Sequence, residues 1–234
     1  MHHERDLSRY HYHSNIRIVS LLALCVLVAC HSLPAQPAPT PTLLPTETAT
    51  RPPASTPEAA SLSTPCALAP MIIPTLPTNI PGYTELDASA NLHMTGNYQV
   101  IDLPSYRLEI TGNVDHPLLL NYDELRCMPK VTRRLALDCP GYFIDEATWA
   151  GVSLEYLLKL AGVQSQSYGL QLVSADGYYT AVSLEDVSTS QPFIAYEWEG
   201  QPLPILHGFP VRAVFPGLSG GKWVKWLVKI EVIR

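Results

Sequence analysis

The sequence carries little charge and has no long apolar run in its main body. Only 15% of its 234 residues are charged, and the formal net charge of −6 argues against nucleic acid as the main partner. Beyond residue 30, no apolar stretch is long enough for a membrane-spanning helix. The cysteines form no CxxC pair and no zinc-type spacing, which argues against a zinc site and allows one disulfide at most. They are Cys25, Cys30, Cys66, Cys127 and Cys139.

Apolar residues make up 47% of the chain, enough for one good-sized domain with a sizeable core. Their pattern predicts many short strands and few short helices, which is typical of the α+β class. Asn121 is expected to cap a helix that closes at Pro129, and Ser153 a helix that ends at Gly162. Ser183 is expected to begin a short helical turn. The predicted strands are 106–111, 131–138, 170–174, 178–182, 193–198, 201–203, 212–215 and 223–232.

Residues 1–29 resemble the signal peptide of a lipoprotein. Their apolar run, 18–29, is too short to span a bilayer comfortably and ends in Leu27-Val28-Ala29-Cys30, which resembles the box of bacterial lipoproteins. In those proteins the signal is cut before the cysteine, which then carries lipid, so Cys30 is the expected lipidation site. The alternative is an ordinary signal peptide with an incidental cysteine.

Residues 30–81 have the composition of a Pro/Thr-rich, disordered tether. This part of the chain holds 13 of the 22 prolines, mixed with Thr, Ala and Ser. Such a segment cannot bury enough apolar surface to offset its ordering entropy, and its prolines keep it extended. The globular domain is therefore expected to span 82–234, held away from a membrane by the tether.

Cys139 is the first candidate for chemistry, because a predicted strand ends there and a Pro-Gly turn follows. A lone cysteine is also often a buried structural thiol, which is the interpretation that Cys127 receives. As a nucleophile, Cys139 would need a base such as His207, and the protein would be a cysteine hydrolase. As a thiolate, it would bind a soft or high-valent metal whose remaining ligands come from an organic cofactor.

The glycine-rich segment 207–226 carries donors suited to an anion. Its Gly-Gly pair lets the backbone approach a ligand closely, and its side chains add imidazole, guanidinium and ammonium groups. These side chains belong to His207, Arg212, Lys222 and Lys225. Taken alone, the segment is equally compatible with a surface hairpin whose basic face is solvated.

Several motifs that follow Cys139 together resemble the molybdopterin-binding domain of the sulfite oxidase family. The resemblance covers about residues 91–234 and is most specific from 195 to 226. The motifs are Trp149-Ala150-Gly151-Val152-Ser153-Leu154-Glu155-Tyr156-Leu157-Leu158, Asp176-Gly177-Tyr178, Ala195-Tyr196-Glu197, Gly200-Gln201-Pro202-Leu203-Pro204, His207-Gly208-Phe209-Pro210-Val211-Arg212 and Val224-Lys225-Trp226.

The resemblance implies an α+β domain that holds molybdenum through the dithiolene of one molybdopterin and through one catalytic cysteine, here Cys139. It further implies that His207 and Arg212 bind the pterin and its phosphate. The other cofactor contacts that it implies are Asn97, Asp176, Trp223, Val224 and Lys225. The chemistry of a dianionic phosphate agrees, since it favours an Arg fork, a Lys and approachable backbone N–H groups.

The chain departs from the family beside the cysteine. Sulfite oxidases carry arginines around the substrate, including one shortly after the cysteine, whereas residues 140–146 read Pro-Gly-Tyr-Phe-Ile-Asp-Glu. Asp145 and Glu146 would repel an anionic substrate such as sulfite if they face the site. A twin-arginine signal, usual in exported molybdenum enzymes, is also missing, because only Arg17 directly precedes the apolar run.

Two functions of different classes follow from these observations. The first is a lipid-anchored, extracytoplasmic molybdenum oxidoreductase that transfers an oxygen atom to or from a small substrate, with sulfur compounds as candidates. It would exchange electrons with a separate carrier, such as a cytochrome or a quinone-linked protein. The second is a binding module that keeps the fold without a cofactor. The set of Cys139, His207, Arg212 and Lys225 is intact, which favours the oxidoreductase.

Overall fold

The computed structural model describes residues 66–234. The signal peptide 1–29, the lipidation site Cys30 and the first part of the 30–81 tether lie outside the described residues and stay predictions. None of the helices in residues 66–234 has both the length and the apolar character needed to cross a membrane.

Short strands dominate the described chain and the helices are few and short, which confirms the α+β class. The helices are α1 (Tyr122–Arg126), α2 (Leu154–Ala161) and α3 (Leu184–Ser190), and single 3₁₀ turns cover Ile205–His207 and Gly220–Lys222. The strands are β1 (Leu86–Asp87), β2 (Leu92–His93), β3 (Leu108–Gly112), β4 (Leu118–Leu120), β5 (Lys130–Cys139), β6 (Phe143–Ser153), β7 (Gly169–Ser174), β8 (Tyr179–Ser183), β9 (Phe193–Trp198), β10 (Gln201–Pro202), β11 (Arg212–Val214) and β12 (Leu227–Ile233).

Ten of the strands form two five-stranded sheets, and β1 and β2 pair separately. The first sheet has the order β10-β9-β6-β5, with β11 also paired to β9, and all of its pairs are antiparallel. The second has the order β4-β3-β12-β7-β8 and contains one parallel pair, β3 with β12. One cluster of buried apolar side chains takes residues from both sheets, so a single core supports them.

The helix ends follow local sequence signals, as predicted. Asn121 and Glu124 form a reciprocal capping box at the start of α1, with bonds of 2.9 and 2.7 Å. Ser153 caps α2 through the N–H of Tyr156, and Gly162 ends the helix in the left-handed conformation at φ 68°. Each cap of this kind stabilises a helix by about 1 kcal/mol. The face of α2 turned to the core consists of Leu154, Leu157, Leu158 and Ala161.

Four strands were not predicted, the short β1, β2 and β4 and the long β6, and one predicted strand begins too early. Strand β6, which spans Phe143–Ser153 and lies between β5 and β9, was not predicted at all. Its first half alternates between buried and exposed side chains while its second half is almost wholly buried, so neither simple pattern covers it. The last strand begins at Leu227 instead of Trp223, because Trp226 has a φ of 48°, which a strand does not allow.

The interpretation of Cys127 as a buried free thiol is also wrong, since it forms a disulfide with Cys66 across a Cα–Cα distance of 5.7 Å. Arg126 adds a 3.0 Å hydrogen bond to the Ala69 carbonyl, and Met71 packs against the core. These contacts attach residues 66–71 to the domain, ahead of its predicted start. Within residues 66–234 this is the one disulfide, and Cys139 is the one free cysteine.

Candidate active site

The Cys139 thiol lies at the end of β5, an edge strand of the first sheet, opposite Phe143 on β6. It is half-buried. Burial raises the pKa of the Cys139 thiol above its ordinary value, while the charge of Arg212 lowers this pKa and that of Asp145 raises it further. The net direction favours the protonated thiol, so a metal ion or an added cation is needed to hold the sulfur as a thiolate.

Arg212 is a fully buried cation with no acidic partner among the described residues. Its two terminal nitrogens donate to the carbonyls of His207 and Trp223, at 3.3 and 3.1 Å. Its guanidinium lies over the rings of Trp149 and Trp223, 4.8 and 5.8 Å from their centroids. Burial lowers the pKa of Arg212 to about 10, and the Nε donor has no hydrogen-bond partner. The Nε–H of this buried guanidinium is therefore free to donate a hydrogen bond to an anionic ligand.

Lys225 is the second buried cation of the site. Its Nζ donates to the carbonyls of Thr95 and Leu206, the latter at 3.1 Å, and lies 4.6 Å from the centre of the Trp226 ring. Burial, with the nearby charge of Arg212, lowers the pKa of Lys225 to about 7. The ammonium therefore loses charge readily unless an anion arrives to stabilise it.

His207 is held by an acid from a distant part of the chain. Its Nε2 lies 3.0 Å from Oδ2 of Asp87, and both side chains are buried. Burial and the charge of Lys225 lower the pKa of His207 to about 3, so the ring is neutral at neutral pH. Although burial raises it, the pKa of Asp87 is lowered overall by hydrogen bonds from Ser89 and His207. Since no hydrogen bond joins His207 to Cys139 in the described residues, the pair has no hydrolase-like geometry.

Cys139 and Lys225 line a cleft of about 290 Å³. A narrow cavity of about 30 Å³ leads from Cys139 inward to Arg212 and His207. The backbone of Gly220 passes the sulfur so closely that a Cβ there would overlap it. The cleft walls include Thr95, Gly96, Cys139, Ser174, Asp176, Tyr178, Gly220, Gly221, Trp223, Val224, Lys225 and Trp226.

The structure brings most of the predicted site residues together around the cleft and the narrow cavity. They are Cys139, Asp176, His207, Arg212, Trp223, Val224 and Lys225. Asn97 is exposed and lines neither the cleft nor the narrow cavity, which take Thr95 and Gly96 from its segment instead. The role of Asn97 in cofactor binding stays a prediction.

The two acids after the cysteine point in opposite directions because they are neighbours on a strand. Asp145 is buried, lines the cavity beside Cys139 and contacts His93. Glu146 is exposed and pairs with Arg134 at 3.2 Å, so it does not face the site. The expected repulsion of anions therefore rests on Asp145 alone.

Sequence reasoning missed His93, Thr95 and Gly96, which reach the site from the segment before residue 97. No local signal marks them, since their partners lie on other elements: Asp145 for His93 and Lys225 for Thr95. Within residues 66–234, no cluster of three His, Cys, Asp or Glu side chains could hold a metal ion. Among the described residues, a metal could therefore receive one thiolate ligand, from Cys139.

Comparison with known proteins agrees with this geometry. Residues 95–234 match the oxidoreductase molybdopterin binding domain family. The uncharacterized oxidoreductase YuiH of Bacillus subtilis is 32% identical over 134 residues, which is 57% of this chain and 68% of YuiH. A sulfite oxidase of Arabidopsis thaliana is 29% identical over 175 residues, 59% of this chain and 44% of that protein.

Among solved structures, the sulfane dehydrogenase SoxCD from Paracoccus pantotrophus aligns with a TM-score of 0.58 and 25% identity. The alignment covers 66% of this chain and 44% of that one. This likeness confirms the sulfite-oxidase-type fold that the motifs predict. The chain spans less than half of the sulfite oxidase and of the dehydrogenase. The matched residues 95–234 nevertheless contain every residue of the Cys139 cleft except Tyr83. The chain belongs to the family of oxidoreductases with a molybdopterin binding domain.

Proposed function

We propose that this chain binds molybdenum-molybdopterin beside Cys139 and acts as an oxidoreductase on a small molecule. One observation carries the proposal: Arg212 and Lys225 are buried next to a free thiol, and neither forms an ion pair within the described residues. A buried charge without a counterion is costly, so these two cations favour an anionic ligand. The phosphate of the pterin supplies that charge.

Three further features fit the cofactor. The Nε of Arg212 is buried without a partner. Gly220 has no Cβ, and the sulfur of Cys139 lies where that Cβ would be. A single protein thiolate suits a metal whose remaining ligands come from an organic dithiolene.

The proposed roles follow from position. Arg212 and Lys225 hold the phosphate, and Cys139 is the protein ligand of the metal. Asp176, Trp223 and Val224 border the cleft along the pterin. His207, fixed by Asp87, orients the turn whose carbonyl accepts from Arg212. When bound, the cofactor supplies two-electron redox chemistry and exchange of one oxygen atom with the substrate.

We take the substrate to be a small sulfur compound, oxidised or reduced by transfer of one oxygen atom. The names of two similar proteins, a sulfite oxidase and a sulfane dehydrogenase, support sulfur chemistry. Asp145 and Phe143 line the cavity beside Cys139, and its cations Arg212 and Lys225 are assigned to the phosphate. A dianionic substrate would therefore meet an acid without a free cation to offset it. A neutral substrate fits this wall better than sulfite does.

We also place the protein outside the cytoplasm, attached through lipid on Cys30, with a cytochrome or a quinone-linked protein as its electron carrier. The Cys66–Cys127 disulfide supports an oxidising compartment, because such bridges are rare in reducing ones. Labelling with radioactive palmitate checks the anchor, since Cys30→Ala should abolish incorporation.

The metal content of the full chain tests the proposal. Expressed in a host that makes molybdopterin, the wild-type protein should carry about one molybdenum per chain, and Cys139→Ser should lose the sulfur-to-metal charge-transfer absorption. Cys66→Ser is the matched control, because it removes a cysteine that lies in the disulfide and outside the cleft. A folded wild-type protein without molybdenum, obtained from that host, would refute the assignment.

A further inference from the structure

His93 is fixed at three points by two residues of β6. Oδ2 of Asp145 accepts the main-chain N–H of His93 at 2.7 Å, and Oδ1 of the same carboxylate lies 2.6 Å from its Nδ1. The imidazole also stacks on the ring of Phe143, with centroids 4.4 Å apart and planes 11° from parallel. A side chain with so many restraints is preorganised, and its position depends on Asp145.

This restrained ring belongs to a residue that shares a cavity with the proposed metal ligand, Cys139. The narrow cavity beside Cys139 is also lined by His93, Phe143 and Asp145. This cavity has room for a water molecule. The side chain of His93 is 28% exposed, whereas that of Asp145 is 5% exposed. Of these two bonded residues, both line the cavity and only His93 is also appreciably exposed to solvent.

Oxygen-atom transfer requires protons at this place. Oxidation of a substrate X consumes one water and yields XO, two protons and two electrons, and reduction of XO runs the same balance backwards. The separate electron carrier takes or gives the electrons, but protons must cross between the cavity and solvent. A group beside the metal position that binds and releases protons therefore has a task in either direction.

The other charged groups around the cavity are already engaged. Cys139 is the proposed metal ligand. The terminal nitrogens of Arg212 and the ammonium of Lys225 donate to main-chain carbonyls, and both side chains are assigned to the phosphate. His207 is bound to Asp87 and is neutral at neutral pH. In the described residues, the Nε2 atom of His93 has no hydrogen-bond partner, since its Nδ1 takes the bond to Asp145.

We propose that His93 carries protons between the cavity beside Cys139 and solvent, and that Asp145 is its positioning residue. The inference rests on the proposed oxidoreductase function and deepens it. A proton on Nδ1 is donated to Asp145, which leaves the lone pair of Nε2 to accept a proton. The imidazolium that forms keeps its Nδ1 hydrogen bond to the same carboxylate. On release of the proton to solvent, the ring returns to the same tautomer.

The test compares full-chain wild type with His93→Gln, His93→Ala, Asp145→Asn and the control Glu146→Gln. The control changes the neighbouring acid, which points away from the cavity. We expect His93→Gln to keep its molybdenum and to lose turnover by at least about 100-fold. Imidazole added to His93→Ala should restore part of the rate, and Asp145→Asn should shift the pH profile.

A spectroscopic measurement checks the tautomer without activity. In ¹⁵N-histidine-labelled protein, the His93 resonances, assigned by their loss in His93→Gln, should show a protonated Nδ1 that changes in Asp145→Asn but not in Glu146→Gln. Molybdenum-loaded His93→Gln with wild-type turnover and pH profile overturns the inference, and so does a His93→Gln protein that loses its metal. Wild type without molybdenum instead defeats the proposed function itself.

Discussion

The backbone of Gly220 lies directly against the sulfur of Cys139. A Cβ added at Gly220 would overlap Sγ and would lie 3.1 Å from Cδ2 of Leu137. At the next residue, Gly221, an added Cβ would meet nothing closer than the Tyr178 hydroxyl, at 3.5 Å. Both glycines belong to one 3₁₀ turn. This turn is packed against the thiol at Gly220 and has space for a side chain at Gly221.

Gly220→Ala should displace the thiol and reduce cofactor retention. The overlap forces either the Cys139 side chain or the turn to move, at a cost of about 1–3 kcal/mol. We expect molybdenum per chain to fall at least several-fold while the far-ultraviolet circular dichroism is unchanged. Gly221→Ala adds a methyl group to the same cleft without meeting the sulfur, so it should lose less molybdenum than Gly220→Ala. Equal molybdenum in the two variants would contradict the packing argument.

Arg212→Ala should weaken cofactor binding more than any change of surface charge. It removes a charge-assisted hydrogen bond to the phosphate, worth about 1.5–3 kcal/mol, so binding should fall by roughly 10- to 100-fold. Arg212→Lys should also bind weakly, because an ammonium cannot make the two carbonyl bonds and the ring contact together. Molybdenum remaining after extended dialysis measures the effect. Arg134→Ala, an exposed arginine on β5, controls for net charge.

Elements with local signals could be predicted from sequence. The caps of α1 and α2 are set by residues within one turn of each helix, such as Asn121 and Ser153. Cys139 was placed correctly at a strand end because the Pro-Gly turn follows it. No local rule links Cys139 with Arg212, 73 positions later, and only the family motifs indicated that they lie near one another; the structure places both on one cavity.

Features that depend on distant partners could not be predicted. Tryptophan favours strands, but Trp223 and Trp226 lie in a buried loop. Their indole N–H groups hold them there by donating to the carbonyls of Phe215 and Ile205. The His93–Asp145 contact joins residues 52 positions apart. Nothing in either segment indicates such a pairing until the strands are assembled.

The stability of the cofactor-free protein should rise with pH because of Lys225. The pKa of this residue is about 7 in the fold and about 10.4 in the unfolded chain. Between these values the unfolded chain holds a proton that the folded protein has released, so the free energy of unfolding increases with pH. The free-energy cost of burying the charged Lys225 ammonium is fully present below pH 7 and is at most about 5 kcal/mol.

Urea unfolding of cofactor-free protein at pH 6, 7, 8 and 9 measures this dependence. Lys225→Met should flatten it, because the methionine has no charge to bury, whereas Lys159→Met on the exposed face of α2 should leave it unchanged. The loaded protein should depend less on pH than the cofactor-free protein, since a neighbouring phosphate keeps Lys225 protonated. A Lys225→Met variant with the wild-type slope would remove Lys225 as the cause.

Breaking the Cys66–Cys127 bridge should destabilise the fold without touching the site. The bridge closes a loop with a sequence separation of 61, for which the chain-entropy estimate is about 4 kcal/mol, and real bridges commonly give about 2–4. Cys66→Ser, Cys127→Ser and the double variant should therefore lose similar stability in urea, because each opens the same loop. Reducing agent should lower the stability of the wild type to that of the double variant and leave the double variant unchanged. Cys139 lies outside this loop, so molybdenum content at 20 °C should stay at the wild-type level. A loss confined to one of the single variants would show that its side chain, and not the closed loop, stabilises the fold.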